Sequence, residues 1–327
     1  MTDSPRRCSN DERRSRLLSQ CRSLPATSPT LPRSTLQQLS KHLLVDDAHR
    51  LILCSPPKAG ATSIRTLLVL SSAEYAWQSS GTGSDALRHR LSHVHSESVL
   101  DRFGIRSLAS YTQPQIIHRL TNYYKIVVVR HPLSRLLSMF RNKLEGSSPG
   151  ACAGFKATLG AWIVKEMRNI SLARGECASD LTFPEFTSFL RKNALVLSKE
   201  PHVTRVHEYC AVCRLQYDYI AKLETLDSDQ QFIIDSVLKP DDELNLHPLN
   251  LNVNTRNMTQ RSAEIPAQRY ASDVREFARL DDYLVDFLLE HYKTDMTLFG
   301  YDVKRSNQRL NDMLATCSGG GGGERCC

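Results

Sequence analysis

The chain carries no ATP-type phosphate loop G-x-x-x-x-G-K-[ST], which disfavours a nucleotide kinase built on that loop and its magnesium ion. Cys210-x-x-Cys213 has no second pair at zinc-finger spacing, so a structural zinc is not expected, and no other metal cluster is evident. There is no RNP motif and no interleaving of basic and aromatic residues, so nucleic acid is not an expected partner. No internal repeat is evident. Residues 1–45 contain no apolar run near the ~18 residues of a membrane span and no signal-peptide core. What remains is an ordinary globular composition of 41% hydrophobic and 24% charged residues, enough in 327 residues to bury a sizeable core. The net charge of +7 suits an anionic ligand.

Two strand-to-helix turns stand out. In the first, the run over residues 50–55, apolar from Leu51 to Cys54, reads as a buried parallel strand. Pro56-Pro57 ends it, because neither proline can donate to a ladder. Lys58 follows, then the small residues Ala59, Gly60 and Ala61, which let backbone approach a ligand closely. Thr62 and Ser63 read as N-cap residues of a helix over 64–70. Free N–H groups and the positive dipole end at such a helix start stabilise an oxyanion. Lys58 adds a full charge, and the hydroxyls of Thr62 and Ser63 add donors. The competing reading is an ordinary turn with a surface lysine.

In the second turn, residues 126–129 form another buried strand by composition. Arg130 sits at its carboxyl end, where ligands bind in open α/β sheets. Pro132 pre-sets a helix whose apolar stripe is Leu133, Leu136, Leu137 and Phe140. Arg130 and Ser138 can converge on one phosphate, the first by a forked charge-assisted contact and the second by its hydroxyl. Arg135 and Lys143 read instead as a solvated basic face. Two anion cradles suggest a nucleotide phosphorylated at both ends.

Together these segments resemble the Golgi carbohydrate sulfotransferases, in the branch of the chondroitin and dermatan 4-O-, GalNAc 4-O- and HNK-1 sulfotransferases. The family pattern Pro-Lys-x-x-[small]-[ST]-x-x-[KR] is met by Pro57-Lys58 through Arg65. The pattern V-R-x-P-x-x-R-x-x-S-x-[FY]-[KR]-[ND]-K is met by Val129-Arg130 through Lys143. Similar blocks run from His202 to Cys213, from Tyr217 to Thr225, over Asn254-Thr255-Arg256, and from Tyr292 to Tyr301. Val203, Val212, Ala221 and Ile64 depart from residues usual in the family, which bears on acceptor specificity and local packing more than on cofactor binding.

The resemblance implies an α/β fold, a P-loop-like parallel sheet flanked by helices, and use of 3′-phosphoadenosine-5′-phosphosulfate (PAPS) as sulfate donor with no metal. Lys58 would stabilise charge on the bridging oxygen, with Gly60, Ala61, Thr62 and Ser63 around the 5′-phosphosulfate and Arg130 and Ser138 on the 3′-phosphate. The acceptor would be a glycan, either a glycosaminoglycan or an N- or O-linked chain, and GalNAc 4-O of chondroitin or dermatan is the expected position. A base must take the acceptor proton. His95 and His93 are the candidates, with Glu97 a third. A family member that binds PAPS or glycan without turnover is the alternative. The family also implies a Golgi lumenal location and an N-terminal anchor, which this chain does not display. Either the anchor is missing from it or the protein is a divergent soluble form.

Among the ten cysteines, Cys210 and Cys213 are expected by resemblance to be structural, in disulfides of an oxidising compartment. Cys152 and Cys177 could pair, and Cys54 reads as a buried strand residue. Asn169-Ile-Ser and Asn257-Met-Thr are glycosylation sequons. Residues 1–35 read as a flexible tail, 36–303 as the catalytic domain and 304–327, with five consecutive glycines, as a second tail. Helices are expected over 115–120, 159–169, 183–190, 227–239 and 272–292, with a third parallel strand over 217–223. Strands alternating with helices predict a mainly parallel sheet covered on both faces.

Overall fold

A computed structural model describes residues 9–24, 33–72, 94–145, 154–173, 176–239 and 272–301. In chain order its longer elements are α1 (Asn10–Ser23), α2 (Arg33–Ser40), β1 (Leu43–Asp46), β2 (Leu51–Cys54), α3 (Ala61–Leu70), β3 (Ile105–Ser107), α4 (Gln113–Asn122), β4 (Tyr124–Val129), α5 (Pro132–Lys143), α6 (Ala161–Arg168), α7 (Phe183–Lys192), β5 (Tyr219–Lys222), α8 (Leu226–Ile233) and α9 (Asp282–Phe299). The chain divides into two compact units. A sheet unit takes residues 8–130 and 206–260, and a helical unit takes 1–7, 131–205 and 261–327.

The sheet has the order β3-β1-β2-β4-β5. β2, β4 and β5 run parallel, as expected, in the registers Cys54↔Val127 and Val129↔Lys222. The other half is antiparallel, with β1 paired to β2 and to β3. The sheet is therefore mixed rather than mainly parallel. The cause is a tight turn after β1, where the Asp46 carboxylate accepts from the backbone N–H groups of Ala48 and His49 at 3.1 and 3.2 Å and returns the chain as a hairpin.

Side chains of one sheet face, Leu51, Leu53, Ile126, Val128 and Ala221, join Ile64 and Leu67 of α3 and Ile233 of α8 in one buried cluster. Burial of such apolar side chains contributes on the order of 1.5–3 kcal/mol each. This clamps α3 to the carboxyl end of β2.

α1 corrects the reading of residues 1–35 as a flexible tail. Ser9 and Glu12 close a capping box at its start. Arg13 Nη1 donates to both Asp229 oxygens at 3.0 Å and to the Ile220 carbonyl at 2.9 Å. Cys21 is disulfide-bonded to Cys213. The helix is too polar to announce itself by apolar periodicity; its stability comes from one buried ion pair, Leu17 (1% exposed) and a covalent tie.

The helical unit is organised by aromatics. Phe140 of α5 stacks on Phe186 of α7 at 5.7 Å, and Phe183 meets Phe277 edge-on at 5.2 Å. α7 opens with a capping box of Thr182 and Glu185 around Pro184. The helix expected over 272–292 is interrupted: residues 272–277 are helical, and α9 starts anew because the Asp281 carboxylate accepts from the Leu284 N–H at 2.8 Å. Among the described residues no helix is long and apolar enough to cross a membrane.

Candidate active site

The parallel register sets the ends of β2 and β4 side by side, which brings the first turn and Arg130 together in the sheet unit. After Cys54 the chain passes through two left-handed residues, Lys58 at φ 67° and Gly60 at φ 92°. A left-handed lysine costs on the order of 1–3 kcal/mol, a strain typical of functional turns. Arg130 Nη1 donates to the Lys58 carbonyl at 3.2 Å. The two expected cations are thus joined through backbone, each half-buried.

Gly60 is required twice over. Its φ suits glycine, and a Cβ there would meet Leu223 Cδ1 at 3.0 Å and Leu226 Cδ2 at 3.4 Å. It is also the N-cap of α3, which corrects the assignment of that role to Thr62 and Ser63. The helix starts three residues earlier than the apolar run suggests, because Gly60 turns the chain directly into it. Glycine offers no capping side chain, so the first-turn N–H groups face their surroundings without a side-chain cap. Thr62 and Ser63 fall inside the first turn; Thr62 is half-buried and Ser63 is 1% exposed. The small residues Ala59 and Ala61 are buried beside them.

His95 lies in an exposed turn held by its neighbour Val94, which is fully buried in the core. Its Nε2 is 2.8 Å from Thr62 Oγ1. Its Nδ1 is 3.4 Å from Arg65 Nη1. Arg65 Nε in turn donates to the Ser55 hydroxyl at 3.2 Å. Burial lowers the pKa of the Arg65 guanidinium, opposed by Tyr209, but a guanidinium stays charged at neutral pH. Arg65 appeared only as the last position of a motif in the sequence. Its spacing of three from Thr62, which sets both on one face of a helix, was the signal available for this link. His93 lies outside the described residues. Glu97 is exposed, in the first turn of the short helix Glu97–Arg102.

Ser138 belongs to the helical unit, half-buried on α5. On the same helix Arg135 is not solvated, contrary to expectation. It is 1% exposed and donates to the carbonyls of Thr204 at 2.9 Å and Pro201 at 2.7 Å. Arg141 pairs with Asp273. His202 is hydrogen-bonded to Glu200 at 2.6 Å.

A disulfide joins Cys54, the last residue of β2, to Cys210. With Cys21–Cys213, both cysteines of the C-x-x-C are thus structural. Cys177 is disulfide-bonded, and Cys152 lies outside the described residues, as do Asn254–Arg256, Asn257 and residues 304–327. Val203, Val212, Ala221 and Ile64 are all fully buried or nearly so. These departures from the family pattern are core positions, which relates them to packing. Among the described residues no group of three or more His, Cys, Asp or Glu could hold a metal ion.

A model of the sulfotransferase family matches residues 41–302. Carbohydrate sulfotransferase 8 of Homo sapiens is 28% identical over 254 residues, 76% of this chain and 55% of that protein. Carbohydrate sulfotransferase 11 of Rattus norvegicus is 30% identical over 226 residues, 68% of this chain and 60% of that protein. Carbohydrate sulfotransferase 14 of Danio rerio is 32% identical over 213 residues, 64% of this chain and 51% of that protein. The chain therefore spans about half to three-fifths of these relatives' length. No solved structure matches it significantly.

Proposed function

The chain belongs to the sulfotransferase family, and from that premise we propose that it is a carbohydrate O-sulfotransferase using PAPS as donor. The observation that carries this reading is the first turn: a helix start without a side-chain cap, entered through a left-handed lysine and a glycine with no room for a Cβ, with Arg130 tied to the lysine carbonyl. Backbone donors, two cations and a hydroxyl are a donor set suited to a doubly phosphorylated nucleotide. The names of the relatives support a carbohydrate acceptor.

When bound, PAPS supplies the sulfuryl group and leaves as adenosine 3′,5′-bisphosphate. In this reading Lys58 stabilises the charge that grows on the departing oxygen. The N–H groups from Gly60 to Ser63 and the Thr62 hydroxyl hold the 5′-phosphosulfate. Arg130, and on motif grounds Ser138, hold the 3′-phosphate and so set the register of the nucleotide. The acceptor hydroxyl gives its proton to a nearby base, for which His95, His93 and Glu97 are the sequence candidates. GalNAc 4-O of chondroitin or dermatan is the acceptor position we favour, and the net charge of +7 suits such an acidic chain. The disulfides support an oxidising compartment, which fits a Golgi lumenal location. Asn169 of the first sequon is exposed, which suits glycosylation there.

The test is transfer of radiolabelled sulfate from PAPS to a panel of desulfated glycans, with Arg130→Ala as control. Incorporation by the wild type that is lost in the variant is the expected result. Binding of adenosine 3′,5′-bisphosphate without transfer to any glycan would indicate a family member without turnover. Absence of binding as well would overturn the reading.

A further inference from the structure

We propose that Arg65, His95 and Thr62 form a hydrogen-bond relay of fixed direction, which aims the Thr62 hydroxyl hydrogen at the bound anion and makes His95 a positioning residue rather than the base. The proposal rests on the sulfotransferase reading of the site and assigns a role within it.

The argument starts from the guanidinium. It carries donors only and never accepts. Ser55 Oγ, itself buried, holds Arg65 Nε at 3.2 Å, and Nη1 then points to His95 Nδ1 at 3.4 Å. That separation is long for a hydrogen bond, yet short enough that a proton on Nδ1 would face a guanidinium N–H head-on. Nδ1 therefore presents its lone pair. A neutral imidazole with a bare Nδ1 carries its proton on Nε2. Nε2 is 2.8 Å from Thr62 Oγ1, so the ring donates and the threonine accepts. A hydroxyl that accepts from its neighbour turns its own hydrogen elsewhere. Thr62 sits in the first turn of α3, where the N–H groups already favour negative charge, and an oxyanion is the partner that hydrogen suits. A chain ending in a group that can only donate has one polarity throughout.

The same geometry removes His95 as the proton acceptor in this state. Nε2 is already protonated, and Nδ1 faces a cation. His93 and Glu97, the other two candidates from the sequence, remain for that task.

Five variants and a pair of spectra decide the matter, each variant first checked for folding by its thermal unfolding. Titration with adenosine 3′,5′-bisphosphate should show Kd raised about tenfold by Thr62→Val, His95→Ala or Arg65→Met, the scale of one charge-assisted hydrogen bond. Arg65→Met combined with His95→Ala should be no worse than either alone, since both break one chain. Glutamine mimics the relay, accepting through its oxygen and donating through its nitrogen, but it is not a base. His95→Gln should therefore keep Kd within about threefold and lose less than tenfold in kcat. Nitrogen-15 NMR of the wild type should show His95 protonated at Nε2, and mixed tautomers in Arg65→Met. A fall in kcat of a hundredfold or more in His95→Gln with Kd unchanged would overturn the relay and make His95 the base. An Nδ1-protonated ring in the wild type would overturn it as well. Failure of the wild type to bind the bisphosphate would instead strike the sulfotransferase reading itself.

Discussion

The two strand-to-helix turns solve the same problem by opposite means. The turn after β2 uses two left-handed residues, Lys58 and Gly60, and leaves its helix start without a side-chain cap. The turn after β4 uses no left-handed residue; Pro132 starts α5, and its Arg135 is buried on protein carbonyls. Neither helix start has a side-chain cap, so the difference lies in the backbone, which is strained in the first turn alone. The second enters its helix through a proline, and its internal arginine is structural. The difference teaches that two cationic turns of similar composition need not be two equal ligand sites. In the proposed division the first turn serves the reacting end of the nucleotide, and the second contributes Arg130 as an anchor.

The sharpest test of that division is Lys58→Ala against Arg130→Ala. Lys58→Ala should lower kcat about a hundred- to a thousandfold, on the scale of one lost transition-state donor, with a smaller change in bisphosphate affinity. Arg130→Ala should act chiefly on affinity, by tenfold or more. Steady-state kinetics with parallel titrations check both, and equal effects on affinity alone would break the comparison. Next in size, removing the Cys54–Cys210 bridge by a double Cys→Ala change should destabilise the protein by about 2–5 kcal/mol in denaturant unfolding. Bisphosphate affinity should fall too, because the bridge holds the strand end that opens the first turn. No loss of affinity at full folding would mean that the first turn needs no such support.

Gly60→Ala should cost about 1–3 kcal/mol, from the left-handed backbone and the approach to Leu223. Arg135→Leu should cost a similar ~1–3 kcal/mol by stranding the carbonyls of Pro201 and Thr204, while leaving the affinity of the folded protein for the bisphosphate in place. A large affinity loss in Arg135→Leu would erase the distinction between structural and ligand-binding arginines.

The smallest effect is electrostatic and confined to the helical unit. Hydrogen bonds from Arg168 hold the Glu185 carboxyl down to about 2. A carboxyl lowered in the folded state contributes its stability above the ordinary carboxylate range, and that contribution is lost as pH falls from about 4.5 toward 2. Because the pair is partly exposed, solvent screening keeps the effect small. Glu185→Gln should flatten the acid limb of the unfolding midpoint slightly, and an unchanged limb would remove Glu185 from the account.

Much of the candidate site was legible as pattern. Apolar runs marked β2 and β4 because buried parallel strands need no polar alternation, and small residues after Lys58 marked a close backbone approach. The helix boundary was misread at Thr62 and Ser63 because hydroxyl residues cap helices well in isolation, whereas here a left-handed glycine under Leu223 and Leu226 takes that place. α1 was missed because its one local signal, the capping box of Ser9 and Glu12, has no apolar periodicity behind it; the partners that hold the helix, Asp229 for Arg13 and Cys213 for Cys21, lie 216 and 192 residues away. Arg135 was misassigned because helical periodicity gives the face of a residue, not what covers that face.

By itself the amino-acid order determined the strand-and-turn grammar, the family and the residues that could meet an anion, since these follow from local conformational preference and spacing. Only the tertiary structure decided the sheet's mixed direction, the disulfide partners, the tie from Arg130 to the Lys58 carbonyl and the contact of His95 with both Thr62 and Arg65. Those are encounters between segments remote in the chain, selected by burial and hydrogen-bond satisfaction once the core has closed.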